Sequence, residues 1–184
     1  MEDRTEEAAL IEWAKGEPDA FGRLYERYVD KIYNYVYYRT GNHHDAEDLT
    51  ARVFHQALKH LPRYKDRGAP FSSWLYRIAH NLVANWHRDR NRRQVVSLDQ
   101  VAQVGNLADG GPLDRVAQGE RRSVLLAAIQ ELPAERQQLL TLKFVERLPN
   151  AEIGAIMGRS EGAVKSLYHR TLISLRQELA NRPT

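Results

Sequence analysis

Residues 150–175, NAEIGAIMGRSEGAVKSLYHRTLISL, limit this chain more than any other stretch, because they set a glycine between two short helical patterns. A small residue at Gly154 lets a neighbour cross close by, Gly158 supports a tight turn, and Val164 anchors the second pattern inside. Ile153 and Ile156 line the inner side of the first helix, and Ser160 is placed as the N-cap of the second, with Glu161 in its first turn. From Ser160 onward, Val164, Leu167, Leu172 and Leu175 are expected on one side, and Lys165, Ser166, His169 and Arg170 on the other. Those four can donate to phosphates or to base edges in a major groove. Two amphipathic helices joined at a glycine also occur inside ordinary all-helical cores. The stretch by itself leaves a duplex reader and a plain helical corner both open.

At 184 residues with 42% hydrophobic content, the chain is long enough for one large or two small domains. The formal charge is only +3, so distribution matters more than the total. Residues 1–93 hold 16 basic and 14 acidic side chains, residues 94–117 hold 1 and 3, and residues 118–184 hold 10 and 7. A locally acidic connector therefore separates two mildly basic parts. Cysteine is absent, which excludes disulfides and Cys-ligated zinc. No run approaches a membrane span, and the start, MEDRTEEAAL, is acidic where a signal peptide is basic. These features predict a cytoplasmic protein with no membrane insertion.

Helices are expected over 5–15, with Thr5 as N-cap, and over 19–40, stopped by Gly41. The second carries Phe21, Leu24, Tyr25, Tyr28, Ile32, Tyr35 and Val36 at helical spacing, which makes its tyrosines core aromatics. Asn42 opens a third helix, with Asp45 where a capping acid sits and Ala46, Leu49, Val53, Ala57 and Leu61 as its buried stripe. Residues 62–70, PRYKDRGAP, read as a basic loop. Ser72 or Ser73 is placed to cap a fourth helix with Phe71, Leu75, Ile78, Leu82 and Trp86 inside. Its polar strip is Arg77, Asn81, Asn85 and Arg88, spaced four, four and three, and it runs out into HRDRNRR. Cations, hydrogen-bonding groups and Trp74 together suit an unpaired nucleic-acid strand.

Gly105, Gly110, Gly111 and Pro112 interrupt any helical stripe over 94–117, which predicts a flexible linker. Beyond it Val124, Leu125, Ala128, Ile129 and Leu132 make one helix, and Pro133 opens another through Leu139, Leu140, Leu142 and Phe144. The expected architecture is all-α: two small helical domains, 1–93 and 118–184, joined by that linker, the second a helix-turn-helix domain.

Two separate motif sets resemble the extracytoplasmic-function (ECF) sigma factors of the sigma-70 class. The first half carries DAFGRLYERYVDKIYNYVYYRTGNHHDAEDLTARVF and PFSSWLYRIAHNLVANWHRDRNRR, and the second ELPAERQQLLTLKFVERLPNAEIGAIMGRSEGAVKSLYHRTLISLRQEL. The resemblance covers nearly the whole chain and implies a transcription initiation factor, neither an enzyme nor a cofactor protein. It implies that Asp48, Leu49, Arg52 and Leu58 dock on core RNA polymerase. Arg67 and Gly68 would hold an extruded base of promoter DNA, and Arg77, Asn81, Asn85 and Arg88 would grip the melted −10 strand. Arg159, Ser160, Lys165, Ser166, His169 and Arg170 would read the −35 duplex. The acidic linker would thread toward the RNA exit path, and an anti-sigma factor is an expected partner. The chain departs from the common family pattern at Arg52, where an acid is usual, at Pro149, where a Ser cap is usual, and at Gly154, where Ala is usual.

Two other classes compete. A stand-alone helix-turn-helix regulator would bind duplex DNA tightly without polymerase. A metal-dependent phosphohydrolase would use His43, His44 and Asp45 with Asp48 and His55, but Asp45 already has a capping role and no further ligand constellation is visible.

Overall fold

Every regular element in the computed structural model is a helix, over the residues it describes: 2–96, 128–129 and 131–180. The first half contains α1 (Glu2–Ala14), α2 (Pro18–Thr40), α3 (His43–His60), a 3-10 turn (Leu61–Arg63) and α4 (Phe71–Val96). The second half contains α5 (Ala134–Leu140), a π-helical turn (Thr141–Val145), α6 (Asn150–Met157) and α7 (Glu161–Ala180).

Local chemistry explains most of these ends. Pro18 sits in the first turn of α2, where its missing N–H has no partner to lose. Gly41 takes φ 67° after the last turn and its N–H donates to Tyr37 O at 2.8 Å. The Asn42 side chain accepts from the Asp45 N–H at 3.0 Å and so caps α3. The α3 stripe Ala46, Leu49, Val53, Ala57 and Leu61 is buried as its spacing requires.

Other ends differ from the sequence reading. Thr5 lies inside α1, not at its N-cap. Ser72 and Ser73 lie within the first turn of α4, with the Ser73 N–H donating to Pro70 O at 2.9 Å. Phe71 decides that start, because it is buried against the rings of Tyr28, Tyr64 and Trp74 and fixes the entry of the helix. Trp74 packs in the same aromatic group, its ring centroid 4.9 Å from Tyr64, so it is not a free stacking platform. The loop expected over 62–70 begins with the 3-10 turn, and the linker expected from 94 begins later, since α4 continues through Val96. The rest of that linker, and Val124 and Leu125, lie outside the described residues. Phe144, expected inside, is 57% exposed, because the π-helical turn carries more residues per turn and rotates it outward.

The two halves do not form separate cores. Leu139, Leu142, Ile153, Ile156, Val164 and Leu167 belong to the same hydrophobic cluster as Leu24, Ile32, Val53 and Leu75. Helix α6 packs on α4 and the π-helical turn packs on α2. Elements as short as α5 and α6, 7 and 8 residues, bury little apolar surface by themselves, and docking on the longer helices covers what they leave open.

Candidate nucleic-acid interface

Two polar faces are candidates for nucleic acid, one on α7 and one on α4. The α7 face begins at a tightly built corner. Gly158 adopts φ 67° and donates to Gly154 O, while a Cβ on Gly154 would stand 2.6 Å from the Arg159 carbonyl oxygen. The small residue is therefore needed against the turn itself, because 2.6 Å is inside van der Waals contact with backbone that has nowhere to retreat. The Ser160 hydroxyl accepts the Ala163 N–H at 3.2 Å, as its N-cap position predicts. Val164, Leu167 and Thr171 are buried along the inner side of α7. Thr171, four residues after Leu167, keeps the stripe there; Leu172 falls five residues on and is exposed, and Leu175 is half-buried, which corrects the expected apolar side.

Arg159, Ser160, Lys165, Ser166, His169 and Arg170 are all exposed and lie at the start and along the outer side of α7. Lys165 pairs with Glu161 at 2.8 Å, and Arg170 Nε reaches Ser166 O at 3.4 Å. Arg159 is engaged more firmly, with Nε donating to Glu135 Oε1 at 2.6 Å. Glu135, near the start of α5, orients that guanidinium, a partnership across 24 residues that no local pattern signals.

On α4, Asn81, Asn85 and Arg88 are exposed, and Arg88 Nη2 donates to Asn85 Oδ1 at 2.8 Å. Arg77 is exposed as well, but its guanidinium is engaged. Its Nη2 donates to Ala155 O at 2.6 Å and its Nε to Ile156 O at 3.3 Å, so its guanidinium caps carbonyls at the C-terminal end of α6. Next to it, the Tyr76 hydroxyl donates to Glu146 Oε2 at 2.6 Å. Burial holds the Glu146 carboxyl above its ordinary range despite that bond and the nearby Lys31 charge, and burial beside Glu146 pushes the Tyr76 hydroxyl well up. Further along the helix, burial and the Arg39 charge lower both His80 and His87.

Arg67 and Gly68 are exposed at the tip of the α3–α4 connection, where Gly68 takes φ 82° and its N–H donates to Asp66 Oδ1 at 2.7 Å. Asp66 thus shapes the tip, a role that an Asp two residues before a Gly signals in sequence. On α3, Asp48, Arg52 and Leu58 are exposed, with Leu58 at 47%, but Leu49 is 1% exposed and faces the core. Leu49 belongs to the α3 stripe, so its side chain is not available to a partner, which corrects its expected place on a docking surface. His43 lies against Tyr33 (hydrogen bond, 2.5 Å) and stacks on Tyr37 at 4.3 Å between centroids. Among the described residues no group of three His, Asp or Glu converges as metal ligands do.

With two polar faces on one helical chain in view, comparison with known proteins is decisive. The family model described as Sigma-70 region 2 matches residues 24–93, and that described as Sigma-70, region 4 matches residues 122–175. Sigma factor SigW of Bacillus subtilis is 36% identical over 174 residues, covering 90% of this chain and 91% of that protein. This chain is an ECF sigma factor of the sigma-70 family. Sigma factor BldN of Streptomyces coelicolor is 38% identical over 167 residues, covering 90% of this chain but 63% of the longer relative. The fold over nearly the whole sigma chain is shared with two solved structures. CnrH in complex with the cytosolic domain of CnrY matches at TM-score 0.68 and 20% identity, covering 95% of this chain and 97% of that one. The sigma factor RpoE with the anti-sigma factor NepR from Bartonella quintana matches at 0.66 and 21%, covering 89% and 98%. The α4 strip thus falls in the region 2 match and the α7 face in the region 4 match.

Proposed function

We propose that this sigma factor binds core RNA polymerase and directs it to promoters, reading a −35 element with α7 and holding the melted −10 strand with α4. The observation that carries this reading is the presence, on one chain, of an exposed polar face at a helix-turn-helix and a second exposed Asn/Arg strip beside a basic loop. Melting costs a few kcal/mol per extruded base, which calls for positioned hydrogen-bonding groups and cations on the strand side. Reading a duplex calls for a rigid helix with donors on one face. Neither task requires a nucleophile, a metal or a cofactor, and the protein acts as a non-enzymatic, cytoplasmic factor. The region 2 part spans residues 1–93 and the region 4 part 118–184. Asp48, Arg52 and Leu58 form the polymerase-facing patch of α3, and an anti-sigma factor is a further partner, as NepR is for RpoE.

The test is co-elution of the purified chain with bacterial core RNA polymerase, followed by run-off transcription from fragmented genomic DNA. A stable complex giving discrete transcripts is expected. In that system the Lys165→Ala, Arg170→Ala double variant should lose −35-dependent recruitment while still co-eluting with polymerase. Asn81→Ala should leave recruitment intact and reduce permanganate reactivity of −10 thymines. A chain that runs apart from polymerase yet footprints palindromic duplex sites by itself would instead be a stand-alone regulator.

A further inference from the structure

We infer that Glu135 is a specificity-determining residue of the duplex-reading face: it braces Arg159 so that the free end of the guanidinium reads a guanine in the −35 element. The inference rests on the −35 role proposed for α7, and it names the base and the second side chain behind that role. Arg159 stands immediately before the Ser160 cap, and a recognition helix meets base edges with its N-terminal end. Its Nε donates to Glu135 Oε1 at 2.6 Å, and its Nη2 forms an ion pair with the same oxygen. The side edge of the guanidinium is thereby occupied. The end edge, made by Nη1 and the outer N–H of Nη2, keeps two parallel donors, the arrangement that matches guanine O6 and N7.

Both partners are held from behind. The Arg159 N–H donates to Gly154 O at 2.9 Å, and its carbonyl oxygen lies against Gly154, 2.6 Å from where a Cβ would stand. Glu135 belongs to α5, and the next residue, Arg136, donates to Ser174 Oγ further along α7. A donor fixed at its backbone and at one edge of its side chain loses little rotamer freedom when it meets a base. Charge separates base reading from phosphate gripping. A phosphate contact is driven by net positive charge and counterion release, whereas the Glu135–Arg159 pair is neutral as a unit. A base edge asks instead for N–H groups in a fixed direction, which the pair supplies. Arg170 shows the contrast, since its Nε rests on a backbone carbonyl, Ser166 O at 3.4 Å, a contact that leaves its charge available to a phosphate. With side chains 39% and 43% exposed, the Arg159–Glu135 pair adds little to folding stability, so its geometry matters more than its energy.

The test is transcription by core RNA polymerase carrying the full chain, from a promoter library randomised across the −35 element, with the transcripts sequenced. The unaltered protein should prefer guanine at one position by about tenfold or more. Arg159→Ala should erase that preference and leave the preferences at other positions in place. Glu135→Ala, which keeps Arg159 but removes its brace, should cut the guanine preference about tenfold by weakening the guanine promoters rather than all promoters. Glu135→Gln keeps an acceptor for Nε and should retain most of the preference, while binding falls more steeply with salt because the pair then carries a net charge. A Glu135 with a merely structural role would weaken every promoter alike, and that result overturns the inference. So does a Glu135→Ala protein with unaltered selectivity, or an Arg159→Ala protein that loses no single-base preference. The Lys165→Ala, Arg170→Ala double variant in the same library separates this failure from that of the proposed function. If it loses −35 selection while Arg159→Ala changes nothing, the brace is wrong and the reading of duplex by α7 stands. If it selects the same promoters as the unaltered protein, the −35 assignment of α7 falls, and the inference falls with it.

Discussion

The polar faces of α7 and α4 carry similar side chains and both are exposed, yet only on α4 does a helix from the other half of the chain hold one of the members. On α7, Lys165, Ser166, His169 and Arg170 follow one another along a helix whose inner side is fixed by Val164, Leu167 and Thr171. On α4 the same logic places Arg77, Asn81, Asn85 and Arg88 in one line, but a neighbour distant in sequence claims the first of them. The difference teaches that helical spacing decides which side chains share a face, whereas what meets that face depends on elements far along the chain. An Arg beside a helix C-terminus will cap its carbonyls in preference to waiting in water, since those acceptors are otherwise unsatisfied.

The comparison breaks most sharply if the corner supporting α7 is distorted while α4 is left alone. Gly154→Val would drive side-chain carbon into the Arg159 carbonyl, now 2.6 Å from where a Cβ would stand, and should destabilise the helix-turn-helix by about 1–3 kcal/mol. Thermal unfolding followed by circular dichroism should show the loss, and polymerase carrying the variant should lose −35 selectivity. A variant with unchanged melting would contradict the packing assigned to that turn.

Removing the α7 cap is a gentler version of the same change. Ser160→Ala deletes the acceptor of the Ala163 N–H and should lower stability by about 1 kcal/mol. Ser160→Asp, which keeps an acceptor at the N-terminus, should restore it, and an equal loss in both variants would show that the hydroxyl is not acting as a cap.

The smallest effect belongs to α4 and to pH. His80 and His87 are held below the usual histidine value by burial and by Arg39, so the native protein favours their neutral forms. Their contribution is complete above about pH 6.5 and is lost as pH falls below that value toward their lowered native ones, because the unfolded chain then binds more protons. Glu146 acts in the opposite sense: its raised value favours the protonated carboxyl, so its term is most favourable below its unfolded value, about 4.5, and declines as pH rises through the native one. Between pH 7.5 and 5.5 the histidines dominate, and the melting temperature should fall. Both are only partly buried, so solvent screens the effect and keeps it modest. Replacing both with Asn should flatten the pH dependence, and an unaltered slope would place its origin elsewhere.

Much of the fold was legible in the residues. The α3 stripe, the Asn42 and Ser160 caps, the stops at Gly41 and Gly158 and the outward face of α7 all depend on interactions within a few residues, which local spacing encodes. The misplaced residues share a different cause. Leu49 was assigned to a partner surface although its own stripe buries it, Thr171 displaced Leu172 on the inner side of α7, and the π-helical turn rotated Phe144 into solvent. None of these depends on composition; each follows from the angular position a side chain reaches once its helix is packed.

The amino-acid sequence by itself determined the all-helical class, the helix-turn-helix and which side chains share each polar face, because helical periodicity and capping act over three or four residues. Tertiary structure alone decided that the two halves share one hydrophobic cluster, that Tyr76 meets Glu146 across 70 residues and that Arg77 meets α6 across 78 and 79. Contacts at that range arise from how whole helices cover one another's apolar surface, and no local pattern records which orphan carbonyl a given guanidinium will find.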